Sequence, residues 1–191
     1  MTARPVGPEG SATARDVPCG SPGLREVAPG SAPDRADVTV RGATLADVPA
    51  LERLMAPYVA TGDLLPRSNY DLCRHIKEYA VAVAGGPGGP AIVGCGSLKI
   101  YSRALGEVAG LAVHPAWQGA GVGRALMGAL IAEARTHCLG EVLALTRKPA
   151  FFLKLGFEPG EREHFPLKVW ADCARCPRNN CCDEVAVLLK L

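Results

Sequence analysis

Helical and strand periodicities interleave along this chain in an order that predicts a mixed α/β fold with hairpins rather than a strict βαβ alternation. Three observations carry that expectation. Apolar residues switch repeatedly between alternate spacing and helical spacing. Two strand-like runs, 79–84 and 91–101, flank Gly85-Gly86-Pro87-Gly88-Gly89-Pro90, a hairpin connection. A further strand at about 107–113 leads into a glycine-rich turn that opens a helix at about 121–137.

The elements follow in order. Residues 1–37 mix Pro5, Pro8, Pro18, Pro22, Pro29 and Pro33 with Gly, Ala, Ser and scattered charges, without hydrophobic period, which predicts a mobile, dispensable tail. Its arginines alternate with acids, so it lacks the acid-poor composition of a transit peptide. Val38-Thr39-Val40-Arg41 alternates as a strand, and the domain is taken as 38–191. Thr44 then precedes Leu45, Val48, Leu51, Leu54, Met55 and Tyr58 at helical spacing, and Pro57 is expected to end or kink that helix. Leu64-Leu65-Pro66-Arg67 reads as a loop leading to Ser68, the N-cap of a helix running to about Glu78. After the long helix come a strand at 141–146, a short helix at 150–155 and a last strand near 184–189.

Composition narrows the function classes. The 191 residues are 48% hydrophobic and 21% charged, enough to bury one real core. Lys plus Arg 21 against Asp plus Glu 19 gives +2, too small an excess for a protein whose main partner is the nucleic-acid backbone. No stretch approaches the roughly 18 to 20 apolar residues of a membrane span, and the amino terminus lacks a secretory h-region. A cytoplasmic protein with no membrane partner and with reduced thiols at its eight cysteines is therefore expected.

The most informative stretch is Gly106-Glu107-Val108-Ala109-Gly110-Leu111-Ala112-Val113-His114-Pro115 followed by Ala116-Trp117-Gln118-Gly119-Ala120-Gly121-Val122-Gly123-Arg124. Successive glycines let backbone N–H groups converge at the positive end of a helix, where a pyrophosphate can rest. A P-loop would continue with Lys and Ser or Thr, but Gly123 is followed by Arg124-Ala125. A dinucleotide fold would place such a turn after its first strand, whereas this one follows several strands and two helices.

Gln118-Gly119-Ala120-Gly121-Val122-Gly123 resembles the acetyl-CoA loop of the GNAT acetyltransferase superfamily. Leu111-Ala112-Val113-His114-Pro115 is similar to that family's fourth strand, and Phe151 to Pro159 to its late helix and following strand. The resemblance covers about residues 38–191. It implies a mixed, mostly antiparallel sheet with helices on both faces, whose fourth and fifth strands splay so that pantetheine enters between them. By that resemblance the backbone of Leu111, Ala112 and Val113 pairs with the pantetheine, Gln118 begins the loop, and Gly119, Gly121, Gly123 and Arg124 cradle the pyrophosphate. Glu107, at the start of the fourth strand, is then the expected general base for an amine acceptor.

Within the superfamily the chain is most similar to stand-alone N-acetylglutamate synthase-like proteins. Leu64 to Ser68, Leu143 to Pro149 and Lys168 to Pro177 with Cys182-Asp183-Glu184 carry that likeness. It implies acetyl transfer to L-glutamate in arginine synthesis, with glutamine, aspartate, another small amine or a protein terminus as alternative acceptors and a non-catalytic CoA-binding module as another class. Two substrate carboxylates need cationic or N–H-rich docking points, and Arg67 with Ser68, Lys148 and Lys168 are the candidates, beside Arg147. Thr146 is a candidate for stabilising the intermediate. Many family members protonate the departing thiolate with a tyrosine, but Phe151 and Phe152 stand in that segment. Cys173, Cys176 and Cys182, with His164, invite a structural zinc reading, weighed against a metal-free loop and a redox-sensitive thiol cluster. The sequence permits a homodimer without specifying one.

Overall fold

A computed structural model of the chain describes residues 38–86, 89–161 and 181–191. The expected tail, and with it His164, Lys168, Cys173 and Cys176, lies outside the described residues. Among the described residues seven strands form one sheet: β1 (Val38–Gly42), β2 (Tyr79–Ala84), β3 (Ala91–Ile100), β4 (Leu105–Val113), β5 (Glu141–Thr146), β6 (Glu158–Gly160) and β7 (Val185–Lys190). Their spatial order is β1-β2-β3-β4-β5-β7-β6, and every neighbouring pair is antiparallel except β4 with β5, which is parallel.

Helices cover both faces, because each strand turns alternate side chains to opposite sides. On one face α3 (Val122–Thr136) buries Leu126, Met127 and Leu130 against Leu98, Val108, Val142 and Ala144. On the other, α1 (Val48–Ala60) and α2 (Asn69–Arg74) bury Leu51, Leu54, Met55 and Leu72 against Tyr79, Val81, Cys95 and Ala112. A short helix, α4 (Pro149–Leu153), follows β5, and its Phe152 packs edge-on to Phe151 and Phe157.

The strand assignments agree with the alternation in the sequence, but two helical expectations change. Pro57 neither ends nor breaks α1, which runs on to Ala60. Proline lies one turn from the helix end and is exposed, so the one carbonyl it leaves without an intrahelical donor, that of exposed Arg53, can turn to water. The extra turn carries Tyr58 toward the sheet. The helix expected from Ser68 to Glu78 divides at His75 into α2 and a single tight turn at Ile76–Glu78.

Two irregularities in the centre of the sheet position everything that follows. Pairing of β4 with β5 stops at Glu107↔Leu143, although β4 continues to Val113 and β5 to Thr146 in register with β7. The two strands part into a wedge. Across β3 and β4 the register moves from Ser97↔Ala109 to Cys95↔Ala112, so Gly110 and Leu111 together face Gly96, a β-bulge. Gly110 takes φ +62, where a side chain would be strained, and a Cβ on Gly96 would come within 3.1 Å of Leu111. The Ser97 hydroxyl donates to the Ala109 carbonyl at 3.0 Å and the Cys95 thiol to the Gly110 carbonyl at 3.7 Å, so carbonyls at the bulge find side-chain partners.

The start of α1 is fixed to β1 by an ion pair. Arg41 donates to both oxygens of Asp47 at 2.7 and 2.8 Å, and Thr44 N–H donates to the same carboxylate at 2.7 Å. Asp47 is 1% exposed, and burial by itself opposes ionisation. The hydrogen bonds from Arg41 and Thr44 and the charge of Arg41 outweigh it and hold the carboxyl below its ordinary 3.8. Asp47→Asn is expected to lower unfolding free energy at neutral pH by about 1–3 kcal/mol. Since the folded group titrates below the unfolded one, its contribution is complete above the unfolded value and is lost as pH falls through the folded value. Urea titrations of wild type and variant should therefore differ at neutral pH and converge in acid below about pH 4.

Candidate functional site

A cavity of about 740 Å³ occupies the gap where β4 and β5 separate. It passes between the two faces of the sheet, with the glycine turn and α4 at one end and α1, the loop before α2 and the segment before β7 at the other.

At the first end, β4 runs through His114 and a tight turn at Pro115–Trp117 into the glycines. Gly119 and Gly121 take φ +77 and +88, in the left-handed region that favours glycine, and nothing lies within 4 Å of where a Cβ would stand on either. Gly121 is the N-cap of the 15-residue α3, with no side-chain cap and no acid in the first turn. The first intrahelical bond is Ala125 N–H to the Gly121 carbonyl, so the amides of Val122, Gly123 and Arg124 have no acceptor within the helix. This is a concave array of amide donors at a positive helix end, suited to an anion. Gly123 serves a further purpose, since a Cβ there would stand 3.3 Å from the Phe151 ring. Arg124 is exposed on the first turn and lines the cavity with Lys154.

The expected strand residues divide their backbone from their side chains. Ala112 is buried among the α1 contacts, while Leu111 and Val113 pack toward the α3 core. The edge of β4 beyond Glu107 is left without a ladder partner among the described residues. The Val113 carbonyl accepts from the Tyr58 hydroxyl and from Gln118 Nε2 at 3.4 Å, and Gln118 also donates to Tyr58 at 2.9 Å. Gln118 thus ties the glycine turn back to β4 and α1.

Glu107 stands at the vertex of the wedge, 8% exposed, and lines the cavity. Its register partner on β3 is Lys99, whose Nζ lies 3.8 Å from Oε2; the Tyr101 hydroxyl donates to the same oxygen. Tyr79 and Ser97, paired across β2 and β3, share this face of the sheet. Burial above all pushes the Tyr79 phenol up to about 12, so at neutral pH it acts only as a neutral hydrogen-bonding group.

The expected acceptor-binding residues fare differently. Arg67 lines the cavity, near enough to Tyr79 and Asp71 to influence both. Ser68 is exposed. Its hydroxyl accepts from Asp71 N–H at 3.1 Å and donates to the Asp71 carboxylate at 2.7 Å, completing a capping box of α2 rather than facing the cavity. Lys148 lines the cavity on an exposed surface, and its N–H donates to Thr146 Oγ1 at 2.9 Å, which engages that hydroxyl in the turn. Arg147 also lines the cavity, with its donors engaged: Nε donates to Asp183 at 2.9 Å, Nη1 to Asp63 at 2.8 Å and Nη2 to the Gly62 carbonyl. It clamps the end of α1 to the segment before β7. Of the sulfur ligands considered for zinc only Cys182 is described, lining the cavity, and no group of three metal-binding side chains occurs among the described residues.

Sequence reasoning did not single out Lys99, Tyr101, Tyr79 or Tyr58. A signal for the first two was available, because Ser97, Lys99 and Tyr101 place polar groups at alternate positions of a strand that is otherwise apolar.

The comparisons agree with this geometry. An acetyltransferase (GNAT) domain model matches residues 76–159. An uncharacterized N-acetyltransferase of Chlorobaculum tepidum is 35% identical over 156 residues, 82% of this chain and 98% of that protein. An amino-acid acetyltransferase of Mycobacterium tuberculosis is 35% identical over 136 residues, 71% of this chain and 77% of that protein. The solved N-acetylglutamate synthase of Neisseria gonorrhoeae, complexed with coenzyme A and N-acetyl-glutamate, superposes with a TM-score of 0.71 at 30% identity. That match covers 82% of this chain and 35% of the longer synthase. With the parted strands, the bulge and the glycine-capped helix in place beside these likenesses, the chain belongs to the GNAT acetyltransferases.

Proposed function

We propose that the protein transfers the acetyl group of acetyl-CoA directly to the α-amine of L-glutamate, the first step of arginine biosynthesis. The observation that carries the reading is the carboxylate of Glu107 at the vertex of the wedge, with Arg67 and Lys148 along the same cavity. The relatives that bear the amino-acid acetyltransferase and N-acetylglutamate synthase names support the choice of acceptor.

In this reading the amides of Val122, Gly123 and Arg124, with Gly119 and Gly121 leaving room, hold the coenzyme's pyrophosphate. The open edge of β4 from Leu111 to Val113 pairs with the pantetheine amides. The coenzyme supplies a thioester carbonyl at the vertex. Arg67 and Lys148 dock the carboxylates of the acceptor, Lys168 joining them, so that its amino group faces Glu107. Glu107 accepts a proton from the ammonium group; the nitrogen lone pair then forms the N–C bond to the carbonyl carbon, and the C–S bond breaks with its electrons on sulfur. The second N–H proton leaves to the thiolate or to solvent. Phe151 and Phe152 supply none, and a thiol of about 8.5 needs no strong acid to depart.

Thiol release from acetyl-CoA tests the reading. Turnover should depend on L-glutamate and be weak with glutamine, aspartate or peptides; equal or greater turnover with any of those would reassign the acceptor. Glu107→Gln should lower kcat by about 100-fold or more while the acetyl-CoA KM holds. Arg67→Ala is expected to raise the glutamate KM about tenfold, corresponding to one lost charge-assisted contact, without moving the acetyl-CoA KM. Gly121→Val should do the converse: forcing a β-branched residue to φ +88 costs about 1–2 kcal/mol and weakens coenzyme binding, read by calorimetry with CoA.

A further inference from the structure

Glu107 is buried, and a buried carboxylate serves as a proton acceptor only if its orientation and charge are provided for. Two side chains of β3 and its hairpin meet that requirement. Lys99 is directly opposite Glu107 in the ladder, where side chains on one face are nearest neighbours. Tyr101 lies two residues further on and therefore on the same face, diagonal to Glu107. Both reach Oε2, Tyr101 through its hydroxyl and Lys99 at 3.8 Å.

The hairpin fixes this meeting point. Tyr101 N–H donates to the Leu105 carbonyl at 3.0 Å, and Ser102 Oγ accepts from the N–H groups of Ala104 and Leu105 at 3.1 Å each. The Tyr101 ring packs on the cluster of Leu105, Leu143 and Ala186, so its hydroxyl has a set position rather than a sweep. From β5 the neighbour of Glu107 is apolar Leu143, and the ionisable side chains that line the same cavity from the surrounding elements include Tyr79, Arg67, Arg147, Lys148, Asp183 and Glu184.

We propose that Tyr101 and Lys99 are positioning residues for acetyl transfer: the hydroxyl orients the Glu107 carboxylate and the ammonium balances its charge, so that it meets the acceptor nitrogen in fixed geometry. The inference rests on Glu107 being the proton acceptor.

The test is the pH dependence of steady-state acetylation of glutamate by wild type, Tyr101→Phe, Lys99→Met, Lys99→Arg, Glu107→Gln and the double variant Tyr101→Phe with Glu107→Gln. Tyr101→Phe keeps the ring and its packing. It is expected to lower kcat about tenfold with both KM values within about twofold, and to move the acid limb of the profile toward higher pH as the carboxylate loses a donor. Lys99→Met should shift the limb in the same direction, Lys99→Arg should restore it, and Tyr101→Phe should cost nothing further once Glu107 is Gln. If Glu107→Gln loses activity while Tyr101→Phe and Lys99→Met leave kcat and the acid limb unmoved, the positioning role is wrong and the base assignment stands. If Glu107→Gln keeps wild-type activity, both fall.

Discussion

A β-sheet offers backbone hydrogen bonds to a guest only where its own ladder is interrupted, and the interruption must lie inside the protein if the guest is to be enclosed. In this chain the break comes between β4 and β5 after Glu107↔Leu143. An unpaired edge in the middle of a sheet would ordinarily close, since parallel strands gain from continuing their ladder. Several features oppose closure. The bulge at Gly110 bends β4, and Ser97 and Cys95 hold the carbonyls it displaces. Beyond Leu143, β5 keeps its register with β7 up to Thr146↔Val185, so it stays part of the sheet after it leaves β4. The gap is thus part of the folded state rather than something a ligand must open.

That arrangement separates two chemistries within one cavity. On the α3 side the donors are backbone amides and the rigid turn of Gly119 and Gly121, which recognise charge and shape with few side chains. On the α1 and α2 side the groups are ionisable, Glu107, Lys99 and Arg67, beside the neutral phenol of Tyr79, and Lys148 stands at the start of α4. Arg147 joins the walls of the second half, because its three nitrogens reach Gly62, Asp63 and Asp183 from the end of β5. A planar guanidinium with fixed donors suits such a three-way bridge in a manner a lysine cannot match. The bridge also holds the loop that leads to Arg67.

The legible and illegible parts of the sequence differ in the range of the interactions that determine them. The alternation of 79–84, 91–100 and 141–146, the hairpin glycines and the turn before α3 are local patterns, and the sheet and glycine loop follow from them. Glu107 stood out only through the family resemblance of the strand that leads into that loop, and its carboxylate lines the cavity. The N-cap role of Ser68 is a local pattern too, and its hydroxyl bonds to Asp71 three residues on. The bridge made by Arg147 is not legible for the opposite reason: Asp63 and Asp183 lie 84 and 36 residues from it, and no local pattern announces contacts of that span. Pro57 shows propensity yielding to context, because an exposed proline near a helix end costs one hydrogen bond while the turn it permits delivers Tyr58 to the sheet.

Tyr58 links these levels. Its hydroxyl donates to the Val113 carbonyl at the open end of the wedge and accepts from Gln118, while at the closed end Tyr101 and Lys99 converge on Glu107. Both ends of the unpaired edge are therefore braced by side chains from other elements before any ligand arrives. A carbonyl oxygen has two lone pairs, so the Val113 carbonyl can keep one of its donors and still accept an amide from a guest lying along β4. In the proposed reaction such bracing matters because the Glu107 carboxylate, the edge amides and the helix end would have to hold their relative positions while charge moves between nitrogen, carbon and sulfur. Groups already ordered in the folded state need no reorganisation at that moment, and the conformational cost is met by folding rather than by the reaction.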